Sequence, residues 1–178
     1  GGVGVTTLAI ETAMFLTDVG RKNGRSACLV DLDFEQGACL DYLDLEARLD
    51  LGEIMPHPER LDMQLLEVML STHSSGLQVL SAPQRPADLS RVTPEIVMRL
   101  LDLVSARFDA IVVDMPRQWR PWSDSVVSGA NRTFVVTDMT VPGLRSGRRV
   151  AETINLRLKD QLRASAQVIV NRFEQTLL

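Results

Sequence analysis

Only two cysteines occur in the 178 residues, Cys28 and Cys39, and neither they nor the two histidines, His57 and His73, fall at metal-ligand spacing. That scarcity excludes a structural zinc centre and suits a reducing cytosol. No apolar run approaches the roughly eighteen residues of a membrane span, and no charged-then-apolar leader opens the chain, so the sequence reads as soluble and cytoplasmic. An initiator methionine is lacking too, and the first residues lie inside a glycine turn, so the expectation is a piece excised from a longer protein. Positive charge is not in excess: the formal net charge is −4, which argues against a surface given over to nucleic acid and leaves room only for a local basic patch. Internal repeats, low-complexity tracts and linkers are missing as well. With 45% hydrophobic residues, the chain 1–178 is expected to fold as one domain around one core.

What is present begins with GGVGVTT, a glycine turn running into Leu8, Ile10, Ala13, Met14, Leu16 and Val19 at helical spacing, with a polar stop at 20–24. Short apolar runs whose ends turn polar follow at 27–33 (ACLVDLD), 77–83, 110–116 (AIVVDMP), 133–139 and 166–172 (AQVIVNR), each reading as a buried strand. Helical patterns at 61–70, 94–108 and 142–158 lie between them, with Pro94 and Pro142 suited to a first helical turn. Strands alternating with helices imply parallel pairing through right-handed crossovers. The expected fold class is therefore α/β, a doubly wound, mostly parallel sheet with helices on both faces.

A phosphate-binding loop uses glycines because its backbone N–H groups must approach the anion in conformations a Cβ would block. Gly1, Gly2 and Gly4 meet that need, the following helix aims its positive end at the same point, and Thr6 stands where a hydroxyl would hold Mg²⁺. The place of the usual lysine is taken by Val5. A plain glycine turn capping a helix would look the same locally, but Asp31, Asp33 and Asp114 lie at strand carboxyl ends, where open α/β sheets bind ligands.

Taken in order, GGVGVTT, LVDLDFEQG, IVVDMP and VIVNR resemble the MinD/ParA family of deviant Walker P-loop ATPases over nearly the whole chain. Val5, LDLE at 43–46 and TDMTVPGLRSGRR at 137–149 resemble its CpaE/TadZ branch, associated with Tad (Flp) pilus assembly. The resemblance implies ATP and Mg²⁺ as cofactors. It implies a phosphate loop of Gly1, Gly2, Val3, Gly4, Val5, Thr6 and Thr7, with Thr6 and Asp114 on the metal. Asp33, with Asp31 beside it, would position the attacking water, while Asn171 and Arg172 lie at the base. The family's signature lysine and the strand feeding the loop would both precede Gly1. With Val5 uncharged, less developing charge is neutralised, so binding should outlast catalysis and any ATP hydrolysis should be slow.

The implied partners are a second copy, in an ATP-dependent homodimer, and pilus or secretion assembly proteins at a cell pole or inner-membrane site. A true partition or division-site ATPase and a structural scaffold with a degenerate site are the alternatives; DNA or membrane contact finds no support in the net charge. Arg145, Arg148 and Arg149 can share a helix face, either solvated or set against an anionic partner. Trp119, Arg120 and Trp122 follow Asp114 where a switch segment would lie, and are expected to be exposed anchors or packed loop residues. Asn171 is also a common turn residue, and Cys28 reads as core.

Overall fold

The computed structural model describes residues 2–83, 92–161 and 165–172. The chain forms two compact units, Thr6–Pro121 and Gly1–Val5 together with Trp122–Leu178. Its elements run α1 (Val5–Lys22), β1 (Ala27–Asp31), α2 (Cys39–Leu43), α3 (Leu51–Ile54), a 3-10 turn (Pro58–Arg60), α4 (Met63–Met69), β2 (Ser71–Thr72), β3 (Gln78–Leu80), α5 (Pro94–Arg107), β4 (Ala110–Asp114), α6 (Ser123–Gly129), β5 (Phe134–Asp138), α7 (Val141–Arg157) and β6 (Gln167–Asn171). The fold is α/β with mostly parallel strands, as the alternation of patterns requires. No helix among the described residues is long and apolar enough to cross a membrane.

In the Thr6–Pro121 unit a four-stranded sheet has the order β2-β3-β1-β4. Every residue of β1 is buried, and the strand is paired on both edges. It pairs in parallel with β3 and β4, and its register sets Asp31 opposite Asp114. The exception to parallel pairing is β2, which runs antiparallel to β3. Only the residues 73–77 join them, far fewer than a crossover needs, so the chain turns back through a hairpin with Gly76 at φ 89°.

Helix α1 buries Ala9, Ile10, Ala13, Thr17 and Gly20; of the apolar residues at helical spacing, Ile10 and Ala13 are buried, Leu8, Met14 and Leu16 half-buried, and Val19 exposed. The C-terminal end of the helix is closely packed. A Cβ on Gly20 would lie 2.8 Å from the Arg25 carbonyl oxygen, and the Thr17 hydroxyl is satisfied within the helix by the Ala13 carbonyl at 2.8 Å. Gly20 is therefore required at that end of the helix. Helix α5 follows its sequence pattern, with Pro94 in the first turn, the Thr93 hydroxyl accepting from the Ile96 N–H, and Ile96, Val97, Leu100, Leu103 and Val104 buried.

In the other unit β5 and β6 pair in parallel, Asp138 opposite Asn171, through the crossover helix α7. Thr140 caps α7 by accepting from the Gly143 N–H, and Gly147 lets the helix lie on Thr137, whose Cβ would be 3.0 Å from any added methyl. The expectation of two buried strands is corrected here: Phe134, Val168 and Val170 are exposed. The register puts Val168 and Val170 on the same face as Val135 and Thr137, and Phe134 on the opposite face, so exposed side chains occur on both.

Candidate functional site

Asp31 and Asp114 are brought together by strand register and both are buried, at 1% and 4% exposure. Asp31 Oδ1 accepts from the Asp33 N–H at 3.0 Å, and Oδ2 accepts from the Cys39 N–H at 3.3 Å and the Ser81 hydroxyl at 3.4 Å. Burial pushes its carboxyl above the ordinary range despite those donors, and the Asp33 charge adds to the rise. Asp33 itself is half-buried; its Oδ1 accepts from the Gln36 N–H at 3.1 Å and its carbonyl from the Gly37 N–H at 2.6 Å, so residues 33–37 curl tightly beneath Asp31.

Burial also raises Asp114, to about 6, against a hydrogen bond from the Thr6 hydroxyl; the nearby Asp31 and Asp33 charges push the same way as burial. Cys39 Sγ lies 3.8 Å from Asp114 Oδ2. Ligand atoms of Asp31, Cys39 and Asp114 all fall within 4.8 Å of one another. Burial and the two carboxylates push the Cys39 thiol far above its ordinary pKa, so it stays protonated and donates to them. Cys39 is the residue that spacing could not reveal, since it arrives from the start of a short helix eight positions after Asp31. The donor set fits Mg²⁺: a hard cation takes oxygen ligands, and the Thr6 hydroxyl and Asp114 carboxylate are already in contact, while a protonated thiol does not compete.

The glycine turn is seen from Gly2 onward, Gly1 lying outside the described residues. Gly2 and Gly4 have φ of 96° and 89°, left-handed values that explain why glycine occupies both. Val5 opens α1 at 38% exposure, Thr7 is exposed in the same first turn, and that turn carries no acidic side chain to oppose an anion. Asn171 ends β6 and reaches back to the turn, its Nδ2 donating to the Val3 carbonyl at 2.9 Å. Arg172 follows at φ 54°, exposed, and its charge helps lower Asp138, whose main influence is the Thr140 hydroxyl.

The segment after Asp114 differs from expectation at one residue. Trp119 is 43% exposed, but Trp122 is 3% exposed and stands at the N-cap of α6, so Trp122 is a packed residue and no free anchor. Arg120 pairs with Glu35 at 2.6 Å. Arg145, Arg148 and Arg149 are all exposed on α7, with Arg148 held to Glu152 at 2.7 Å.

No protein-family model matches the chain. Over its whole length it is 24% identical to the septum site-determining protein MinD of Bacillus subtilis, covering 63% of that protein, and 28% identical to MinD of Helicobacter pylori, covering 65%. The chain thus spans a little under two thirds of the length of these relatives. A ParA family ATPase from Chlorobium tepidum matches 97% of this chain and 70% of its own with a TM-score of 0.79 at 24% identity. MinD of Pyrococcus horikoshii, complexed with Mg-ADP, matches 97% of this chain and 67% of its own at 0.73 and 18% identity. A MinC:MinD cell division complex from Aquifex aeolicus matches 98% of this chain and 66% of its own at 0.66 and 25% identity. The chain has the α/β fold of these MinD and ParA structures and is similar in sequence to MinD proteins.

Proposed function

We propose that the chain is the nucleotide-binding domain of a MinD/ParA-like division-site or partition ATPase, acting as a slow nucleotide switch in the cytoplasm. The observation that carries this is the buried pair of strand-end carboxylates with the Thr6 hydroxyl on Asp114, a cluster of oxygen donors suited to Mg²⁺. Gly1, Gly2, Val3, Gly4, Val5 and Thr7 would receive the phosphates of ATP through backbone N–H groups, and Thr6 and Asp114 would hold the metal, which would supply neutralisation of phosphate charge. Asp33, half-buried at the mouth of its curl, positions water. Asp31 has both oxygens engaged by neighbours and sets the position of Asp33 and Cys39. Asn171 and Arg172 attend the base. ATP favours a homodimer, and a protein partner is the second interaction we expect.

The pilus-assembly branch has narrower support, namely Val5 and the stretch 137–149; the relatives found are MinD proteins, which favour the division or partition task. Val5 also supplies a test. Because it is exposed at the start of α1, Val5→Lys should be accepted without loss of stability and should place an ammonium by the phosphates. A charge-assisted contact of that kind is worth roughly tenfold. ATP affinity or phosphate release in the full-length protein should rise by about that factor. Neither changing would show that the missing cation does not limit this site.

A further inference from the structure

We infer that Asn171 is a latch that holds the phosphate loop in its anion-receiving conformation, and not only a residue facing the base. The inference rests on the nucleotide reading above. Its starting point is the bond between residues 168 positions apart, Asn171 Nδ2 to the Val3 carbonyl at 2.9 Å. A carbonyl only accepts, so the amide must present its NH₂ to Val3, and Oδ1 is left as the group's acceptor.

Peptide planarity gives this bond its leverage. The Val3 C=O and the Gly4 N–H belong to one trans peptide unit and point in opposite directions. Holding the carbonyl against Asn171 therefore turns the Gly4 N–H to the other side of the loop. Without a hold, that unit is easily reoriented, because glycines at φ 96° and 89° flank Val3 and glycine crosses between backbone regions at little cost. Gly4 is also where a side chain would destroy the latch, since a Cβ there would run into the Asn171 amide. Glycine at position 4 is thus required for its backbone angle and again for the room it leaves.

The same geometry ties phosphate binding to base choice. With one N–H held by Val3 and the side-chain orientation thereby fixed, Oδ1 is presented as an acceptor that suits an amino group such as that of adenine and repels the keto oxygen of hypoxanthine or guanine. One side chain then serves both ends of the nucleotide.

The test uses the full-length protein and the variants Asn171→Ala and Asn171→Asp. Hydrogen exchange at the loop amides is measured without ligand, and affinities are measured for Mg²⁺-tripolyphosphate, ATP and ITP. Both variants should exchange the Gly4 amide faster and bind tripolyphosphate about fivefold more weakly or worse, the loss expected for one hydrogen bond. Asn171→Asp keeps an acceptor and should retain preference for ATP over ITP, which Asn171→Ala should lose. Unchanged loop exchange together with unchanged tripolyphosphate binding would overturn the latch and leave Asn171 a base reader alone. A wild-type protein that binds no ATP would defeat the nucleotide reading, while the exchange measurement would still decide the latch.

Discussion

Asp114→Asn is expected to make the ligand-free protein more stable while removing its Mg²⁺-dependent nucleotide binding. Asp114 is buried beside Asp31 and Cys39, and burial, with the neighbouring carboxylates, lifts its pKa from 3.8 to about 6. A carboxyl raised in the folded state binds more protons there than in the unfolded chain between those two values. Stability should therefore fall as pH rises from about 4 to about 6 and level off above, once the group is ionised in both states. The shift corresponds to at most about 3 kcal/mol, which Asn, neutral at every pH, recovers near pH 7. Chemical denaturation across pH 4–8 checks this: between pH 4 and 6 the wild type should lose more stability than Asp114→Asn, which keeps only the contribution of the raised Asp31. The cost appears on binding, because an amide oxygen is a far weaker ligand for Mg²⁺ than a carboxylate. A variant both less stable and fully competent for Mg-ATP would refute the assignment of Asp114.

Gly37→Ala is expected to collapse the carboxylate cluster. An added Cβ would lie 2.5 Å from Asp31 Oδ2 and 2.5 Å from the Asp33 carbonyl oxygen, so backbone or a buried carboxylate must move. The Gly37 N–H to Asp33 carbonyl bond at 2.6 Å closes the same curl and cannot survive that displacement unchanged. Overpacking of this kind costs about 2–3 kcal/mol. Asp33 and the Cys39 N–H would shift with it, so Mg-ATP affinity should fall together with stability. Gly129→Ala is the control, because a Cβ there meets nothing within 4 Å and should leave stability unchanged or slightly raised. Equal denaturation midpoints for the two variants would show that the 33–37 curl is not under tight packing.

The strands that build this site were legible because each is a short apolar run ending in a polar residue, and the position of Asp31 and Asp114 at strand ends placed them at the ligand-binding edge of an α/β sheet. The side-by-side pairing of these two aspartates follows from register, which no local pattern encodes. Short elements such as α2, α3, β2 and α6 escaped because, unlike the equally short strands, they carry no uninterrupted apolar run. The inward face of α1 was legible at Ile10 and Ala13 but not at the helix end, where Val19 is exposed and close packing at Arg25 demands Gly20. Cys39 and the Asn171 latch belong to the same class: both are contacts between distant segments, visible only once the chain is folded.

The central claim is that this domain binds ATP through Mg²⁺ at Thr6 and Asp114 and turns it over slowly. Equilibrium titration of the full-length protein with ATP, with Mg²⁺ and with a chelator, tests it most directly when phosphate release is followed in the same samples. Saturable binding that needs Mg²⁺, with slow release of phosphate, is the predicted result. No binding at saturating ATP and Mg²⁺, or binding indifferent to the chelator, would contradict it.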